Sequence, residues 1–287
     1  LVVRGTGPNG LITRDDVQAR AEIERGTPGG TPGGTPGNTP GNQPETSAQP
    51  NVGARARETR SPIRSVRKLT AAAMVQSAFT APHVTEFLTL DVTPTLDLIE
   101  SLNQRRDERP RIGILAVVAK ALCIAVARQP SVNTRWDEPA GEIVQFHSVN
   151  LGIAVATPRG LVVPTIVDAD QHTLLELAEE LAALAEAARA GTTPLAALGG
   201  GTITITNIGV FGVDSGTPIL VPGEAAILAM GAIRRQPWEY RGEIALRQMM
   251  TLALSFDHRL VDGEQGARFL SDIGAILANP GVALTMV

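Results

Sequence analysis

The sequence predicts an α/β fold, a mixed β-sheet with helices packed on it. Three observations predict it. Strand-like segments recur along the region after residue 60. Helix-periodic segments with their own start and stop signals lie between them. The 287 residues are 43% hydrophobic and 19% charged, a composition that supports one sizeable core.

Each element has a local reason. Val84–Leu90 alternates as a half-buried strand does. Thr93 and Pro94 then read as a cap and a first-turn proline, opening a helix that should run to about Arg106. Ile112–Ala127 is the longest apolar run. It carries Lys120 and falls short of the ~20 residues a bilayer span needs, so it reads as a buried helix. Val149–Ala156 and Leu161–Val167 read as strands around a turn at Pro158-Arg159-Gly160. "HTLLELAEELAALAEAARAG" is the clearest helix. Thr173 and Glu176 form a capping box, and Gly191 ends it. Thr202–Thr206 ("TITIT") alternates strictly, and Ala225–Ile233 and Met249–Phe256 are apolar enough for central strands. Gly266–Ala278 reads as a last helix stopped by Asn279-Pro280.

The first 60 residues differ in kind. "TPGGTPGGTPGNTPGN" repeats a tetrapeptide with proline at 28, 32, 36 and 40. Proline lacks an amide proton and glycine loses most entropy on ordering, so residues 26–60 read as a flexible linker. Residues 61–287 read as one domain. Arg55 to Lys68 is a basic stretch, either a solvated arm or an arm docking on a neighbouring subunit. Gly5, Gly7 and Gly10 spell G-x-G-x-x-G, but the linker begins too soon for a βαβ unit, so a nucleotide fingerprint is rejected.

Totals exclude several classes. A net charge of −4 and 3% aromatic residues give nucleic-acid binding no support. Cys123 is the single cysteine, so no intrachain disulfide or cysteine metal cluster exists, and a reducing, cytoplasmic setting is expected. No membrane association and no metal site are expected.

Four histidines remain. His83, His147 and His172 lack partner motifs and read as structural or surface residues. His258 leaves an apolar strand within "SFDHRLVDG", Ser255–Gly263, and enters a polar turn. A strand end holds a side chain on a rigid frame, and an imidazole can exchange a proton near neutrality. Spacing alone is equally compatible with a satisfied loop histidine and with Asp262 capping the last helix. No serine-hydrolase elbow, zincin motif or P-loop is present. A base at His258 would need a nucleophile from the substrate, and a thiol fits best.

"SFDHRLVDG" resembles the D-H-R-x-x-D-G motif of the dihydrolipoamide acyltransferases, core components of 2-oxo acid dehydrogenase complexes. "GTITITNIGVFGVDSGTPILVPGEAAILAMGAI", "VNLGIAVATPRGLVVPTI" and "SPIRSVRKLTAAAMVQSAFTAPHVTEF" resemble further blocks of that family, in order. "GTGPNGLITRDDV" resembles the second half of a peripheral subunit-binding domain, so residues 1–25 are expected to be its C-terminal part. The chain then reads as a fragment lacking a lipoyl domain.

The resemblance implies a two-layer sandwich of the chloramphenicol acetyltransferase-like type. It implies acyl transfer between dihydrolipoamide (lipoyl-lysine on another domain) and coenzyme A, with coenzyme A as substrate. His258 would take the thiol proton, Thr206 would donate to the oxyanion, and Asp262 would hold the His258 loop through a cationic partner. Asn207, Gly209, Ser148 and Arg159 are the candidate coenzyme A contacts, with Gly209 better explained by backbone geometry. Implied partners are further copies of the chain (a homotrimer within a 24-subunit cubic core), a 2-oxo acid decarboxylase component and dihydrolipoamide dehydrogenase. The stretch "VFGVDSGTPILVPGEAAILAMGAIRRQPW" suggests a branched-chain acyl group, with acetyl transfer the alternative. A non-catalytic scaffold, another H-x-x-x-D-G enzyme and an arginine-arm nucleic-acid binder are the competing readings.

Overall fold

Residues 58–105, 110–157 and 160–286 are described by a computed structural model. The expected subunit-binding segment, nearly all of the expected linker, and Arg159 lie outside the described residues.

Helix α1 (Ser65–Thr80) leads into β1 (His83–Asp91). Helix α2 (Thr93–Gln104) follows, with Pro94 in its first turn as expected. Thr93 is not the cap: Val92 holds that position, and the Asp91 carboxylate accepts from the Thr93 amide at 2.9 Å. The Thr93 hydroxyl donates to Asp91 Oδ1 at 2.5 Å and accepts from the Gln248 amide at 2.9 Å, so it fastens the helix to a strand instead.

Helix α3 (Ile114–Arg128) is buried over most of its length, as its composition requires. Its one internal charge, Lys120, is satisfied by the carbonyls of His172 at 2.8 Å and Asp170 at 3.2 Å. Cys123 lies on this helix, buried and unpaired, and burial pushes its thiol up to about 12.

A short hairpin, β2 (Thr134–Asp137) and β3 (Glu142–Gln145), stands apart from the main sheet. Then come β4 (Leu151–Thr157), β5 (Gly160–Val162) and β6 (Thr165–Ile166). The expected strand Leu161–Val167 is therefore two short pieces. Pro164 sits between them; its carbonyl accepts from Ile153, but it has no amide to return. Helix α4 (Leu174–Ala190) has both halves of the Thr173–Glu176 capping box and ends at Gly191 with φ 72°.

Strands β7 (Ile203–Asn207) and β8 (Ala226–Met230) are central, and β9 (Arg234–Tyr240) forms a hairpin with β10 (Glu243–Asp257). Strand β10 starts six residues earlier than its apolar run at Met249 (249 − 243). That first stretch pairs only with the exposed β9. The turn between them uses Arg241 at φ 55° and Gly242 at φ 87°, the left-handed pair a tight hairpin demands. Helix α5 (Gly263–Ala278) closes the order.

The sheet has eight strands in the order β1-β10-β8-β7-β4-β5, with β6 also on β4 and β9 on β10. β7 runs parallel to β4 and β8, and the other pairs are antiparallel, so the sheet is mixed as expected. Helices α2 to α5 pack on it around one apolar core, which makes the α/β fold. No helix among the described residues is long and apolar enough to cross a membrane.

Candidate active site

At one end of the sheet, β10 delivers the Asp257–Asp262 turn. The Asp257 amide donates to Ala225 O and the His258 amide to Pro82 O, both at 2.9 Å, so both neighbouring strands anchor this end. Asp257 is 3% exposed, yet charged. Arg259 satisfies it: its guanidinium donates to both carboxylate oxygens at 2.7–3.2 Å, and its amide donates to Oδ1 at 3.0 Å. The same guanidinium lies 4.8 Å over the Trp136 ring on the β2–β3 hairpin. The turn is thus held from two sides, while the His258 side chain between these residues is exposed.

Asp262 is the N-cap of α5. Its Oδ1 accepts from the Gln265 amide at 2.8 Å, and Gln265 Oε1 accepts from the Asp262 amide at 3.0 Å. The capping role open in the sequence is therefore the one seen. The cationic clamp expected at Asp262 forms at Asp257 instead, because Asp257 follows the buried strand and cannot be left unpaired.

Thr206 lies elsewhere. It registers with Ala229, and Ala229 with Ala253 on β10. His258 is five residues past Ala253 (258 − 253), about 17 Å at the rise of an extended strand, and two strand spacings, about 10 Å, to the side. Ile203 and Ile205 face the helix-side core, so alternation turns Thr206 to the other face. Among the described residues its hydroxyl has no hydrogen-bond partner. Asn207 and Gly209, next along the chain, line a shallow pocket of about 200 Å³ with Val210, Met230 and Met250, which Thr206 does not line. Gly209 is there for close approach: a Cβ would lie 2.4 Å from the Gly231 carbonyl oxygen, and one on Gly231 would lie 1.9 Å from that of Asp214. Ser148 is at the opposite end, just before β4, where its carbonyl accepts from Asn133 Nδ2 at 3.0 Å. A single chain thus brings the expected coenzyme A contacts to two places.

The other histidines are tied down or peripheral. His83 has Nδ1 2.7 Å from Ala81 O and Nε2 accepting from the Leu220 amide at 3.0 Å, so both ring nitrogens are used within the fold. His172 Nδ1 lies 3.0 Å from Asp168 O, and His147 is exposed.

Two carboxylates near the His258 end escaped the sequence reading. Glu224 is 6% exposed, and burial pushes its carboxyl up to about 8 against a smaller pull from the Thr204 hydroxyl. It borders a cleft of about 630 Å³ that Arg135, Trp136, Asp257 and Arg259 also line. Glu86 on β1 has a buried Oε2 with no hydrogen-bond partner. Its sequence signal was a carboxylate in phase with Val84, Leu88 and Leu90.

Residues 55–285 match the family described as 2-oxoacid dehydrogenases acyltransferase (catalytic domain). The chain is 37% identical over 286 residues to the dihydrolipoyllysine-residue acetyltransferase component of the pyruvate dehydrogenase complex of Staphylococcus aureus. That alignment covers 98% of this chain and 66% of the relative, so the chain spans about two-thirds of the relative's length. Among solved structures, it superposes on the dihydrolipoamide acetyltransferase of Azotobacter vinelandii with a TM-score of 0.74 at 30% identity, covering 79% of this chain and 94% of that one. It matches the cubic core of a pyruvate dehydrogenase multienzyme complex equally well, with a TM-score of 0.74 at 30% identity over 86% of this chain and 100% of that one.

Proposed function

Because the chain belongs to the 2-oxoacid dehydrogenase acyltransferase family, we propose that it transfers an acyl group between the thiols of dihydrolipoamide and coenzyme A. His258 takes the proton of the attacking thiol. The thiolate sulfur bonds to the thioester carbonyl carbon, and negative charge gathers on the carbonyl oxygen, to which Thr206 donates. Collapse breaks the other carbon–sulfur bond, and the departing thiolate recovers the proton from His258.

The observation that carries the reading is the separation of the two groups. His258 stands exposed on a clamped turn at one end of the sheet, and the unpartnered Thr206 hydroxyl is at the other. One reacting carbonyl cannot touch both in one chain. The active site is therefore shared, with His258 from one copy and Thr206 from the next, in a trimer that builds a cubic core like that of the relative. Asn207 and Gly209 shape the Thr206 side of the channel, Ser148 and Arg159 contact coenzyme A, and Asp262 holds the His258 loop as a cap. Residues 1–25 recruit the decarboxylase and dihydrolipoamide dehydrogenase components.

The acyl group is acetyl. The named relatives are acetyltransferase components of pyruvate dehydrogenase complexes, which favours that alternative over the branched-chain expectation. A branched group needs only a slightly larger apolar pocket, about 1–3 kcal/mol of discrimination, so short sequence likenesses do not decide it. A scaffold without catalysis has no use for both His258 and Thr206.

The test is transfer to dihydrolipoamide from acetyl-, isobutyryl- and isovaleryl-coenzyme A by the assembled protein. Acetyl should be preferred, and His258→Ala should lose about 10²- to 10⁴-fold in kcat while staying folded. Co-assembled His258→Ala and Thr206→Ala chains should regain activity, because some mixed interfaces carry both native groups. Failure of the mixture to exceed either variant alone sinks the shared site.

A further inference from the structure

Strand β1 carries a carboxylate that packing does not explain. Val84, Leu88 and Leu90 face the helix layer, and Glu86 shares their register. Its Oε2 is buried and makes no hydrogen bond. A Cβ on Gly266 would lie 3.2 Å from that oxygen and 2.6 Å from the Phe256 ring; one on Gly263 would lie 3.8 Å from Oε1. The carboxylate therefore sits under the first turn of α5, in space that Gly266 leaves open.

The register brings β10 to the same place. Glu86 pairs with Leu254 and Val84 with Phe256, so Leu254, Phe256 and then His258 follow on the side that Glu86 faces. The Phe256 and His258 rings lie 5.9 Å apart. Burial raises the Glu86 pKa, and the charge of His258 opposes that rise, so the two groups interact.

The other charged groups around the turn have partners. Asp257 is held by Arg259, Asp262 accepts from the Gln265 amide, Glu264 pairs with Arg268 at 2.5 Å, and His83 is bonded to Ala81 and Leu220. The N-terminus of α5 adds partial positive charge on the Glu86 side.

We propose that Glu86 is a positioning residue, a carboxylate beneath α5 that stabilises the His258 imidazolium formed when the thiol proton is taken. The proposal rests on His258 being the base. With Glu86 ionised, protonating His258 turns a half-buried carboxylate with one unpartnered oxygen into a pair, which strengthens the base.

The experiment uses the assembled protein and two readouts. The first is carbethoxylation of His258 by diethyl pyrocarbonate across pH, followed at its own peptide by mass spectrometry. It reports His258 protonation whether or not His258 is catalytic. Glu86→Gln should move the pH midpoint of modification down, because an anion that favours the protonated ring is gone. Glu86→Asp should restore most of the shift. The second readout is the rate. Glu86→Gln should lower kcat about tenfold and leave the KM for coenzyme A within twofold.

An unmoved midpoint in Glu86→Gln overturns the proposal, as does a lower melting temperature with both readouts unchanged. A moved midpoint with unchanged kcat keeps the Glu86–His258 coupling but overturns the positioning role, whereas failure of the base role itself is read from an active His258→Ala, so the two failures are told apart. Glu86→Leu separates charge from packing: it should fold at least as stably as the native chain and show the same midpoint shift.

Discussion

At the His258 end of the sheet, Asp257, Arg259 and Trp136 hold one another and Asp262 caps α5, all within one chain. At the Thr206 end, the hydroxyl has no partner among the described residues, and Val210 and Phe211 stand 70% and 68% exposed beside it. On the proposed mechanism a base needs its orientation fixed before substrate arrives, and that half is assembled within the chain, from the Asp257–Asp262 turn and Trp136 on the β2–β3 hairpin. An oxyanion donor is used only when a carbonyl meets it, so its half can stay open until another copy supplies the facing surface. On the proposed mechanism, folding builds half of the chemistry and association supplies the rest.

The largest test of this contrast is Thr206→Ala. Transfer should fall about 10²- to 10³-fold, with Thr206→Ser retaining most of it and unfolding curves unchanged, because the hydroxyl supports nothing in the fold. A wild-type rate in Thr206→Ala would mean that the open end takes no part. The next acts on the built end: Arg259→Ala leaves Asp257 buried without its cation and should cost about 2–3 kcal/mol in denaturant titration. The third reads Glu224. Its folded pKa is raised from 4.5 to about 8, so the folded chain holds a proton that the unfolded chain has released across that window. Native stability should therefore be greatest below pH 4.5 as far as this group is concerned, and fall as pH rises toward 8. Glu224→Gln should remove that slope, gaining about 1–2 kcal/mol at pH 8 and little at pH 5 in thermal unfolding. The smallest effect belongs to Asp262: Asp262→Ala should cost about 1 kcal/mol and Asp262→Asn almost nothing, since asparagine caps equally well. A large loss of kcat in Asp262→Asn would give Asp262 a role beyond the cap.

Local chemistry carried the legible part of the fold. Thr173, Glu176 and Gly191 fixed both ends of α4 because caps act over a single turn. Apolar runs located α3, β8 and the second half of β10. The β9 ribbon escaped because both its faces are exposed and no apolar alternation marks it, although Arg241-Gly242 was a readable turn. His258 stood out by its setting, but its distance from Thr206 depends on strand order, which no local pattern encodes. Glu86 was missed because a lone acidic residue in a strand draws notice only once its register is known.

Cys123 has a practical consequence. It is the sole sulfhydryl of the sequence, buried in α3 with its thiol pushed up to about 12. Thiolates, not thiols, attack alkylating dyes and aromatic disulfides, so the folded chain should be silent to them at neutral pH. Colour released during turnover would then come from substrate sulfur alone. One equivalent per chain, revealed by denaturant, would make the same reagent a gauge of unfolding.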